Sequence, residues 1–147
     1  MNFEQMATSL RQTPNFMQGT GATAAEIAEA EARLGPLPSD YKRFLSEFGW
    51  VHFGYDDIYG LGSELPYPEY SVLATTVRER ESFGLPASLI AISNDGGGNL
   101  SCFKVAEFGQ EPDGAVFVHY HENGDLIRKS NSFIDYVGDL LREYMLE

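Results

Sequence analysis

With 147 residues, 43% hydrophobic and 13% aromatic, the chain is long enough for one domain with a proper core and too apolar for wholesale disorder. Its 22 acidic against 10 basic side chains leave a formal charge of −12, which argues against unassisted binding to nucleic acid. No apolar run approaches a bilayer span and no basic-then-apolar leader opens the chain, so a soluble, cytoplasmic protein without a membrane partner is expected.

Phe3, Met6, Ala7 and Leu10 mark a first helix that ends before Pro14. Residues 13–22, with Pro14, Gly19 and Gly21 among polar neighbours, read as a loop. Thr23-Ala24-Ala25-Glu26 is a capping box: the hydroxyl takes one orphan N–H while the carboxylate reaches back. The helix behind it buries Ile27, Ala30 and Leu34, and Gly35-Pro36 stops it. So short a connection predicts a hairpin with the next helix. There Leu37, Tyr41, Phe44, Leu45 and Phe48 form one apolar stripe, Pro38 and Ser39-Asp40 supply the start, and Gly49 the C-terminal cap.

An aromatic and then acidic stretch follows: Trp50, His52, Phe53, Tyr55, Asp56, Asp57, Ile58 and Tyr59. Beyond a loop at 63–68, a helix is expected over about 71–83, with Leu73, Val77 and Tyr70 inward and Arg78, Glu79, Arg80 and Glu81 outward. The character then changes to strands. Leu89–Ser93 reads as a buried strand, Asn94–Asn99 as a Gly-rich turn, and Asn99–Val105 as a second strand with Leu100, Cys102, Phe103 and Val105 competing for the core. Ala115–His121 is a third, and Asn123-Gly124 signals a type I′ hairpin returning through Leu126-Ile127. A last helix, about 132–145, turns Phe133, Val137, Leu140, Leu141 and Tyr144 inward. Cys102, the single cysteine, cannot form an internal disulfide and fits a reducing compartment as a small core residue.

Few residues invite chemistry. The Gly-rich turn lacks the Lys-Ser/Thr of a P-loop, opens no helix, and carries Asp95, which repels phosphate. His119 and His121 share one strand face, but nothing places His52 near them as a third metal ligand. Asp56-Asp57 is a carboxylate pair with no nucleophile or oxyanion feature beside it. No catalytic residue, metal or cofactor is assigned. The charge distribution is more telling: between Phe44 and Val77 there is no Lys or Arg, yet Glu47, Asp56, Asp57, Glu64 and Glu69 are present. Tyrosines intersperse these acids, and Tyr and Trp are the residues that interfaces favour. Trp50, Tyr55, Asp56, Asp57, Glu64, Tyr67, Glu69 and Asp95 are therefore the candidate partner-binding residues, with core packing of some of the aromatics as the competing reading.

The segment Leu37-Pro38-x-Asp40-Tyr41-x-x-Phe44-Leu45, with Gly49 after it and then Ile58-x-Gly60, resembles the SUKH superfamily, the Smi/Knr-type domain. Leu89–Asn99 resembles that family's second signature, a hydrophobic strand running into a Gly-rich turn and a second strand. Phe48 departs from the pattern, since the family often has a polar residue before the Gly. The resemblance spans about Thr23 to the C-terminal helix. It implies a single α+β domain over 1–147, with an antiparallel β-sheet from the second half and Gly49–Leu61 packed against several helices.

It also implies a function without catalysis. Bacterial members act largely as immunity proteins, binding and occluding a cognate toxin domain, often a nuclease. An acidic chain suits a basic nuclease-type partner. Two other readings stand beside it: a regulatory or scaffold protein-interaction module, as in eukaryotic cell-wall regulators, and a small metal-dependent hydrolase using Asp56, Asp57 and the histidines.

Overall fold

A computed structural model describes residues 1–63 and 65–145. Helices α1 (Phe3–Arg11) and α2 (Ala24–Leu34) each open on a reciprocal capping box, Asn2 with Gln5 and Thr23 with Glu26. After Gly35-Pro36 the chain enters α3 (Ser39–Phe48), tied back to α2 by the Glu31 carboxylate, which accepts the Leu37 N–H at 2.9 Å. The predicted stripe of α3 is fully buried: Tyr41, Phe44, Leu45 and Phe48 are at 0% exposure and Leu37 at 2%. Tyr41 stacks on Phe44 and meets Phe103 and Phe133 edge-on at 5.1 and 5.2 Å, so α3 is the axis on which sheet and C-terminal helix converge. Its phenol donates to the Tyr59 carbonyl at 2.6 Å, and burial pushes its pKa well up.

The fold is α+β and antiparallel as expected, but the strands form two sheets rather than one. The smaller has the order β1 (Met17–Gln18), β2 (Val51–Phe53), β3 (Asp56–Ile58). The larger runs β4 (Leu89–Asn94), β5 (Leu100–Lys104), β6 (Val116–His119), β7 (Leu126–Ser130). They meet where Tyr59 donates its N–H to Ile92 O at 2.8 Å and Ser93 Oγ donates to Asp57 O at 2.7 Å. Strand β1 lies inside the stretch read as a loop. Backbone pairing holds it, through the pairs Met17–His52 and Gln18–Val51 and the Gly19 N–H on Trp50 O.

A 3₁₀ turn, Pro68–Tyr70, leads into α4 (Val72–Ser82). That helix buries Val72, Thr75 and Thr76, while the expected Leu73 and Val77 are half-buried. Polar bonds to β4 set its rotation: Thr76 Oγ1 accepts the Ala91 N–H at 3.0 Å, and the Arg80 guanidinium donates to Leu89 O at 2.8 and 3.2 Å. The large sheet is buried on both faces at β4 and β5. Ile90, Ile92, Phe103 and Val116 face the main core with α3 and α5 (Phe133–Met145), whereas Leu89, Ala91, Leu100 and Cys102 form a small second core with Leu85. There burial pushes the Cys102 thiol up to about 12. Helix α5 buries Phe133, Val137 and Leu141 as predicted, together with Tyr136. The turn before β7 is closed between Tyr120 and Asp125 and has Gly124 at φ 78°, while Asn123 is not at positive φ, so it is not the two-residue I′ type.

Candidate functional site

Asp56 and Asp57 are strand residues, and successive strand side chains point to opposite faces. Asp57 stands across from His52 in the β2–β3 register and bonds its Nδ1 at 2.6 Å. Tyr70 lies beside it, its phenol pushed up to about 12 by burial and then by the Asp57 charge and hydrogen bond. Asp56 faces the other way and accepts from the Tyr144 hydroxyl at 2.6 Å, while that same oxygen accepts the Tyr55 N–H at 2.9 Å. Glycine at 54, with φ 58°, lets the Tyr144 ring lie against the turn. Burial and Asp56 together push the Tyr144 phenol up to about 12. Tyr55, at the hairpin tip, is 95% exposed.

Trp50 is 6% exposed, so its ring belongs to the core rather than to the open surface. It stacks flat on Tyr70, centroids 4.7 Å apart, and Tyr67 meets Tyr70 edge-on at 5.9 Å. Its Nε1 is buried with no acceptor among the described residues. One edge of the ring lines an open groove of about 600 Å³ with Met17, Gln18, Leu65 and Pro66. Met17 is 48% and Tyr67 60% exposed, and Glu69 is exposed beside Tyr67 on the 3₁₀ turn. Glu64 lies outside the described residues.

Asp95 is elsewhere. Its carboxylate ties the Gly-rich turn together, accepting the N–H groups of Gly97 and Asn99 and the Asn99 side-chain amide. Partial burial pulls its pKa up, but these donors outweigh that and hold it below the usual carboxylate range. With Asp56 it lines a narrow polar cleft of about 110 Å³ that also includes Ser93, Tyr120, Lys129 and Tyr136.

The expected surface thus divides. Trp50, Tyr67 and the groove lie on one side of the hairpin, Asp56 and Asp95 line the cleft, and Tyr55 caps the tip. Three lining residues had no signal in the sequence: Met17 comes from a stretch far from Leu65-Pro66, and none of them carries a motif. Among the described residues no three His, Cys, Asp or Glu side chains converge as metal ligands. His52 is engaged with Asp57, while His119 and His121 line a separate cleft, so the hydrolase constellation is dispersed. No described helix is long and apolar enough to cross a membrane.

A sequence model described as the SMI1 / KNR4 family (SUKH-1) matches residues 21–139, most of the chain. A comparison with curated proteins finds no match.

Proposed function

We propose, from the premise that this chain belongs to the SMI1 / KNR4 family (SUKH-1), that it is an immunity protein that binds and occludes a cognate toxin domain of basic, nuclease type. It acts in the cytoplasm of the toxin-producing cell and performs no chemistry of its own. The observation that carries this reading is the groove beside Trp50. It gathers apolar surface from Met17, Pro66 and half-buried Leu65, and the chain runs on from Pro66 through exposed Tyr67 and Glu69, in stretches from which Lys and Arg are absent.

An interface of that composition has an apolar centre to anchor a partner side chain and a carboxylate rim to orient a basic one. The Trp50 ring that lines the groove is already stacked on Tyr70, so little ordering entropy is lost there on binding. The test is co-expression with the toxin domain encoded beside its gene, comparing wild type with Met17→Glu and Tyr67→Ala. Both side chains are largely exposed, so both variants should fold. Loss of protection is the expected result, and equal protection by all three proteins would overturn the groove as the binding surface. If no toxin partner is found, the regulatory-module reading replaces this one.

A further inference from the structure

The outer face of the large sheet carries a cleft of about 390 Å³ that shares no lining residue with the Trp50 groove. Its floor is Leu85 and Leu100, 4% and 3% exposed, from the second small core. Phe83, just past α4, stands at its rim 69% exposed. Glu79, Asn94, His119 and His121 supply the polar groups. The Glu79 side chain is only 18% exposed and forms a salt bridge with the Arg78 guanidinium at 3.7 Å, beyond hydrogen-bond length.

The histidine is held in one tautomer. The Asn99 amide nitrogen donates to Asp95 at 2.9 Å, which turns its oxygen toward His121 Nδ1, also at 2.9 Å. An amide oxygen only accepts, so Nδ1 carries the proton, and Nε2 of the uncharged ring is then the acceptor. Gly98 leaves room for the ring, since a Cβ there would stand 3.2 Å from Nδ1. Asp95 therefore acts as a positioning residue for His121, through Asn99.

We infer that this cleft binds a cationic nitrogen group on an apolar stem, a guanidinium or primary ammonium. The stem lies on Leu85 and Leu100, the cation packs against the Phe83 ring, and its N–H groups reach the Glu79 carboxylate and His121 Nε2. The described lining carries no Lys or Arg, the Arg78 salt bridge to Glu79 comes from outside it, and the net charge of −12 favours a cationic ligand.

Three probes test this by NMR titration of methyl-labelled protein: agmatine, a capped Gly-Arg-Gly peptide, and the same peptide with the uncharged isostere citrulline. The expected result is saturable shifts of the Leu85 and Leu100 methyls with agmatine, the arginyl peptide or both. Binding should be at least about tenfold weaker for the citrulline peptide, and for Glu79→Gln and Phe83→Ala proteins whose backbone spectra remain native. Response to agmatine alone identifies a free small cation, and response to the peptide alone an arginine on a polypeptide. No saturable shift up to about 10 mM of either cation, or an equal response to citrulline, overturns the assignment.

Discussion

Gly60 lies so close under Gly49 that a Cβ on Gly60 would overlap the Gly49 carbonyl oxygen. That oxygen accepts the Leu61 N–H at 3.0 Å, and Gly49 itself sits at φ 75°. The end of α3 and the exit of β3 are thus locked backbone to backbone. Gly60 continues the lock: its N–H donates to Tyr70 O at 2.7 Å and its carbonyl accepts from Val72 at 2.9 Å, which holds Tyr70 in place against Trp50. Gly60→Ala should cost about 1–3 kcal/mol or more, because the nearest atoms are the Gly49 backbone, which cannot swing away as a side chain can. A denaturant midpoint equal to wild type would show that the two segments part easily.

Phe44 tests the centre of the main core. It is fully buried, stacked on Tyr41, tilted against Phe48 and in edge contact with Phe133 at 5.3 Å. Removing it empties the junction of α3 and α5. Phe44→Ala should cost about 3–5 kcal/mol. Equilibrium unfolding measures this directly, and a loss below about 1 kcal/mol would mean the site collapses around the gap.

Alkaline pH probes the tyrosines. Tyr59, Tyr70 and Tyr144 are each pushed up to about 12, chiefly by burial, and Tyr70 and Tyr144 also by the carboxylates of Asp57 and Asp56. A raised phenol pKa means that the folded state holds the proton more tightly than the unfolded chain, whose tyrosines titrate near 10. The stability this contributes is fully present below about pH 10 and is lost as pH rises through about 12. An absorbance titration should show a late-ionising class of tyrosines that merges with unfolding, and Tyr144→Phe should flatten the dependence. All tyrosines ionising together near pH 10 in a folded protein would contradict it.

What the sequence reveals and what it hides divide along the range of the interactions. The capping box at Thr23 and the α3 stripe are local, so residue spacing reports them directly, whereas the Asn2–Gln5 box of α1 emerges only in the structure. Strand β1 is not local: Met17 and Gln18 are strand only because β2 lies beside them, and no alternation announces it. The rotation of α4 follows from Thr76 and Arg80 bonding to β4, so apolar spacing around Leu73 and Val77 misleads. The aromatic, acidic composition of residues 50–70 marks an unusual surface, but composition cannot tell a buried Trp50 from an exposed Tyr67. Nor can it show that Asp56 and Asp57, read as one acidic pair, have separate hydrogen-bonded partners on opposite faces.

That last point decides how the proposed toxin interface should be tested with charge. Replacing Asp56 or Asp57 removes the Tyr144 or the His52 bond, so a loss of binding there would mix folding with recognition. Glu69 is the cleaner probe, exposed on the 3₁₀ turn beside Tyr67 with no described ion-pair partner. A rim charge acts mainly on encounter, whereas an anchoring side chain acts on dissociation. Glu69→Lys should therefore slow association with a basic toxin domain, by about tenfold at low salt, and leave dissociation near wild type. Met17→Glu, which puts a charge into the apolar groove, should instead speed dissociation. Added salt should slow wild-type association, because the Debye length falls to about 8 Å at physiological ionic strength. Stopped-flow binding across a salt series separates the two effects. An association rate indifferent to both salt and Glu69→Lys would mean that the acidic rim does not steer the partner.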